Sequence, residues 1–215
     1  MALTGLKKHG ITKSTPSNIP LGAGTWFKGL EYSGSAWTGT VLGATSGGSS
    51  ITITPELFEI PVDGALVSVK GLTVQNGGLA EAEINFAEVT GDIIQMTTLF
   101  EKKGSTTAAG FDEYTGKSTI AEGDYIPNLG FVGRTADGTK EIIVIMHNAL
   151  CTSGFSIEPV NKENAVLTAT FKAHQDIDGD LEALPVTIYY PTADGASAAA
   201  LSADTPSAET QTAEN

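Results

Sequence analysis

Leu79-Ala80-Glu81-Ala82-Glu83-Ile84-Asn85-Phe86 decides the fold class. Successive side chains of a strand point to opposite faces, so Ala80, Ala82, Ile84 and Phe86 share one side while Glu81, Glu83 and Asn85 share the other. One face is core and the other is wet and acidic. The run Ile142-Ile143-Val144-Ile145-Met146 is apolar on both faces, the pattern of a central strand covered on each side. Working outward, the chain alternates runs of β-forming residues with Gly, Pro, Asn or Asp punctuation. The expected strands are 25–32, 50–60, 66–75, 79–86, 118–126, 141–150, 155–160, 165–174 and 184–190. This is a mainly β chain, read as a β-sandwich or barrel-like fold.

One segment departs from the period of two. Val89, Ile93, Met96 and Phe100 recur at helical spacing, Thr90 and Asp92 stand at the start, and Lys102, Lys103 and Gly104 stand at the end. These predict a single flanking α-helix over about residues 90–103, its apolar stripe packed on the sheets. Stretches 33–49, 105–117 and 127–140 read as long irregular loops. Residues 1–20, with Lys7, Lys8 and Lys13, read as an N-terminal arm that is extended or ordered only by a partner. The β-domain is expected over residues 21–191. Residues 192–215, built largely from Ala, Ser, Thr, Asp and Glu without an aromatic, read as a disordered acidic tail.

The 215 residues carry 12 Lys+Arg against 25 Asp+Glu, a formal charge of −13 with only 17% of residues charged. Eight of the acids and none of the bases lie from Asp176 onward, so residues 1–175 hold 17 acids and 12 bases, a net −5. A surface of this sign repels phosphate, which disfavours adhesion to nucleic acid or to anionic lipid. Cys151 stands alone, so the fold holds by packing rather than by an internal disulfide, and a reducing cytosol at synthesis is expected. The first residues lack the apolar stretch of a secretion signal, and no window is long and apolar enough for a membrane helix, so neither is expected.

The residues of chemistry do not assemble into a recognisable catalytic pattern. His147 and Cys151 are four apart on one expected strand, which puts them on one face but ~13 Å apart at ~3.3 Å per residue. His174-Gln175-Asp176 could orient an imidazole, yet no Gly-x-Ser-x-Gly context supplies a nucleophile. Gly22-Ala23-Gly24 lacks the third glycine of a dinucleotide fingerprint, and Gly43-Ala44-Thr45-Ser46-Gly47-Gly48-Ser49-Ser50 has serine where a phosphate loop needs lysine, so it reads as a flexible loop. In Asp176-Ile177-Asp178-Gly179-Asp180-Leu181-Glu182, glycine stands fourth rather than sixth, unlike a calcium-binding EF-hand. No catalytic residue, metal site or cofactor is assigned, and an enzyme is not expected.

Leu21-Gly22-Ala23-Gly24 leading into a strand, Leu42-Gly43-Ala44-Thr45-Ser46-Gly47-Gly48 before Pro55-Glu56, Val62-Asp63-Gly64-Ala65, Val69-Lys70-Gly71-Leu72, and the closing Leu184-Pro185-Val186-Thr187-Ile188-Tyr189-Tyr190-Pro191 stand in an order with a familiar look. Over residues 21–191 the chain resembles the major tail tube protein of long-tailed, siphovirus-type bacteriophages. The resemblance implies a structural virion protein of the tail, made in the cytoplasm of a bacterial host. It also implies self-assembly into hexameric rings that stack into a hollow tube, with long loops and the N-terminal arm bridging rings. The partners so implied are further copies of the chain, a tape measure protein and a tail terminator, with DNA passing through the lumen unbound and no membrane contact. Glu81 and Glu83 are the candidates for the lumen, where carboxylates repel phosphate. Lys7, Lys8, Lys13, Trp37 and Leu42 are the candidates for contacts between subunits. The alternative is a β-sandwich adhesin or surface-binding module.

Overall fold

The computed structural model describes residues 9–104, 108–157, 159, 161 and 164–192. Among them run β1 (Pro20–Ser33), β2 (Ala36–Val41), β3 (Thr45–Glu59), β4 (Thr73–Phe86), α1 (Gly91–Thr98), β5 (Glu101–Lys102), β6 (Tyr114–Thr115), β7 (Ile126–Thr135), β8 (Glu141–Cys151), β9 (Leu167–Lys172) and β10 (Val186–Tyr189). The chain is mainly β, and its strand pairings are antiparallel.

The sheet forks at β8. One edge of this strand pairs with β7 from Glu141 to Ala149. The other edge is divided: Ile143–Met146 pair with β10, whereas Leu150 and Cys151 pair with β9. The first layer is therefore β2-β1-β7-β8-β10, and the second runs from the end of β8 through β9 and β4 to β3. Asn148 makes the fork, with φ at +46°. Asparagine tolerates this left-handed conformation better than most side chains. The turn it puts into the strand resets the alternation, so Met146, Ala149 and Cys151 all enter the main core.

That core lies between the two layers. Trp26, Leu129 and Met146 come from the first, and Ala80, Ala82, Ile84, Phe86, Ala169 and Phe171 from the second. Ile93 and Met96 of α1 complete it. Trp26 Nε1 donates to Ser49 Oγ at 3.1 Å, tying β1 to β3. A second cluster occupies the opposite face of the first layer: Phe27, Leu30, Trp37, Val132, Ile143 and Ile145. It accounts for the two-sided apolar character of Ile142–Met146. The layer curls around this cluster, since the rings of Trp37 on β2 and Tyr189 on β10, at opposite ends of the strand order, are 4.9 Å apart.

Several local expectations are corrected. Residues 127–140 contain β7, a central strand, rather than a loop. The glycine that suggested punctuation, Gly130, is there because Leu30 lies across it: a Cβ at this position would come 2.3 Å from Leu30 Cδ2. Stretch 33–49 holds β2 and the start of β3, and Gly47 and Gly48 sit at a register shift in the β3–β4 ladder instead of in a flexible loop. Residues 66–72 lie outside any strand, with a turn at Lys70 and Gly71, and only Thr73 onward is strand. Of 118–126 only Ile126 is in a strand, with a 3-10 turn at Glu122–Asp124 before it. Among the described residues within 155–160, the pairing is a single bridge from Ile157 to Leu167.

The helix starts as expected, with the Thr90 hydroxyl accepting from Ile93 N at 3.3 Å. It ends early, at Thr98. Thr97 and Thr98 turn their hydroxyls back onto the carbonyls of Ile93 and Ile94, which disfavours continuation, and Leu99 takes the left-handed conformation at φ +56°. Lys102 and Lys103 then belong to a short ribbon, paired with Asp112 at 2.7 Å and Glu113 at 2.6 Å. Ile93 and Met96 of the expected stripe are buried, whereas Val89 and Phe100 are exposed.

Residues 17–20 bond to their own chain near the β7–β8 turn. The Ser17, Thr139 and Thr135 groups donate to the Asp137 carboxylate and hold it well below the usual carboxylate range. Asn18 Oδ1 accepts from Lys140 Nζ at 3.1 Å and from the Tyr190 hydroxyl at 3.3 Å. Lys7, Lys8 and residues 193–215 lie outside the described residues.

Candidate assembly surface

Three surfaces stand out, and the first is the outer face of the second layer. Thr52 and Lys172 lie directly opposite Glu81, Ser50 and Thr170 lie opposite Glu83, and Thr168 lies opposite Asn85. Directly paired residues share a face, so this face is a field of hydroxyls and amides with two carboxylates and one ammonium. Thr168 Oγ1 donates to Asn85 Oδ1 at 2.6 Å, and Asn85 Nδ2 donates to the Gly48 carbonyl at 3.0 Å. Glu83 is exposed and Glu81 half-exposed, while Ala80, Ala82, Ile84 and Phe86 behind them are buried.

The second surface is the far half of the β3–β4 hairpin. Up to Thr54 and Leu79 the two strands cover the core; beyond the Pro55–Gly78 pair they leave the body as a two-stranded arm of residues 55–78. Proline in a sheet is confined to edges and bulges, and the ladder shifts register between Pro55 and Leu57. Gly78 lies close under Leu184, where a Cβ would come 2.7 Å from Leu184 Cδ2. The arm is apolar and uncovered. Leu57 and Phe58 are exposed on its strand, and Leu66 and Val67 at its tip are 97% and 77% exposed. The tip holds its shape through Ile60 N to Leu72 O at 2.9 Å and Ser68 Oγ to Glu59 Oε2 at 3.1 Å.

The third is a groove of about 330 Å³ between the edges of β2 and β10. Tyr32, Ile143, Tyr189 and Tyr190 line it, and Trp37 forms its floor. The Trp37 ring meets the rings of both Tyr32, at 5.2 Å, and Tyr189. Glu141 at the rim accepts from Arg134 Nε at 2.9 Å. Lys140 Nζ stands 5.7 Å from the Tyr190 ring centre.

The sequence candidates are scattered among these features. Lys13 is exposed. Trp37 keeps 9% exposure at the floor of the groove, and Leu42 is buried in the main core. The arm was missed as a surface because its apolar residues read as ordinary strands; the available signal was Pro55 together with Gly77-Gly78, which mark where the hairpin leaves the body.

The chemistry-bearing residues do not converge. His147 bonds Asn128 Oδ1 at 2.8 Å and Thr187 Oγ1 at 2.9 Å, whereas Cys151 is buried in the main core, so the two do not share a face as an unbroken strand would require. In the loop after β9, Asp176 and Asp180 accept from the backbone N–H groups of Asp178 and Glu182, as in ordinary Asx turns. Among the described residues no group of three or more His, Cys, Asp or Glu is placed to hold a metal ion, and no helix is long and apolar enough to cross a membrane. No family model matches the chain, and no curated protein matches it significantly.

Proposed function

We propose that this protein is the major subunit of a phage tail tube, a structural virion protein whose copies form stacked hexameric rings around a DNA channel. The observation that carries this reading is the apolar arm of residues 55–78. Fully burying a Leu, Val or Phe side chain stabilises by about 1.5–3 kcal/mol relative to leaving it exposed, and the arm forgoes this at Leu57, Phe58, Leu66 and Val67. An isolated two-stranded hairpin is marginal in water, so a projecting apolar hairpin favours a partner that covers it. A self-assembling subunit supplies that partner in every neighbouring copy. The polar face around Glu81 and Glu83 suits the lumen: hydroxyls and a slight carboxylate excess give phosphates nothing to adhere to. In such a tube the tape measure protein and the tail terminator are the further partners, and the virion tail is the site of action.

The experiment reverses the charge of that face. In phage carrying Glu81→Lys together with Glu83→Lys, tails of normal length should assemble while DNA delivery falls at least tenfold. Unchanged delivery would remove this face from the channel.

A further inference from the structure

The arm and the groove are both uncovered in the same chain, one projecting and the other concave. The arm does not reach its own groove, since Leu66 at the tip and Tyr32, Tyr189 and Tyr190 at the groove all remain exposed. We infer that the arm tip of one copy, Leu66 and Val67, seats against Tyr32, Trp37, Tyr189 and Tyr190 in the groove of another copy. This rests on the self-assembly reading above and names the surface that receives the arm.

Three observations select a second copy as the occupant. The groove is walled mainly by aromatic and aliphatic side chains, and its one carboxylate, Glu141, is engaged by Arg134, so the surface it offers is chiefly apolar, as the arm tip is. Charges are complementary: the arm carries Glu56, Glu59 and Asp63 against Lys70, and at the groove rim Arg134 and Glu141 pair with each other, which leaves Lys140 as the surplus positive charge. The supply is also matched, because each copy brings one arm and one groove. A contact that joins two different surfaces is heterologous, and it closes into a ring or continues as a helical stack according to its rotation. Until it closes, each addition leaves one arm and one groove free.

The test separates the two surfaces. An arm variant, Leu66→Asp with Val67→Asp, and a groove variant, Tyr32→Ser with Tyr189→Ser, are prepared as full chains, checked for native circular dichroism and followed by sedimentation velocity. All four side chains are exposed, so the core is left intact. Each variant alone should lose assembly. Mixed in equal amounts they should form a 1:1 pair with twice the subunit mass and stop there, because the pair keeps only a defective arm and a defective groove. A groove variant that assembles like the unaltered chain overturns the inference while leaving the tube reading in place; an unaltered chain that stays monomeric at every concentration overturns both. Should the groove variant misfold, Leu66→Cys with Tyr190→Cys decides: a ladder of intermolecular disulfides on oxidation supports the seating, and its absence in assembled material contradicts it.

Discussion

His147 sits one residue before the fork in β8, held between Asn128 and Thr187. Burial disfavours its charged form and lowers its pKa below the ordinary histidine value. As pH falls, the unfolded chain takes up the proton first, so the stability linked to this group is intact above about pH 6.5 and is lost as pH falls through that value toward the folded pKa. The melting temperature should therefore drop more between about pH 7.5 and about pH 5.5 than it does for His147→Gln, which keeps hydrogen-bonding capacity without the titration. Equal drops in the two proteins would place the pH dependence elsewhere. At this scale the sequence is legible where two faces differ in polarity. Glu81 and Glu83 are on the wet face because Ala80, Ala82, Ile84 and Phe86 cannot be. Trp37 was not legible, since an aromatic in a Gly- and Thr-rich stretch gives no sign that β10, at the far end of the domain, will bring Tyr189 against it.

Elements were legible to the extent that their reasons are local. The α1 start follows from Thr90, but its end depends on hydroxyls of Thr97 and Thr98 that compete for carbonyls. β7 was hidden because glycine serves two purposes: Gly130 breaks a sequence pattern, yet in the fold it makes room for a leucine from β1, a contact 100 residues away along the chain. The same limit hid the arm, since 50–60 and 66–75 read as strands whether or not a layer lies behind them. Exposure of residues 55–78 makes a direct prediction. Joining Thr54 to Leu79 through Asn-Gly, the favoured two-residue hairpin turn, should leave the melting temperature within a few degrees, roughly the effect of 1 kcal/mol or less in a domain of this size. The same deletion should abolish higher assembly. A large loss of stability would show that the arm supports its own body.

For the whole molecule, the total charge of −13 says less than its placement. Residues 1–175 carry a net −5, and the face proposed for the lumen offers Glu81, Glu83 and one opposing Lys172 within a field of hydroxyls. Repulsion there is mild, and the lack of adhesive groups matters as much as the sign. The sandwich supplies a rigid body with a polar face on one side, while the arm and the aromatic groove offer two unlike apolar surfaces from which a repeating contact can be built. Self-assembly is thus the central claim. Negative-stain electron microscopy of the purified full chain at rising concentration tests it most directly. Hollow tubes or rings with sixfold end views are the expected result, and particles that remain single subunits at every concentration would contradict the account.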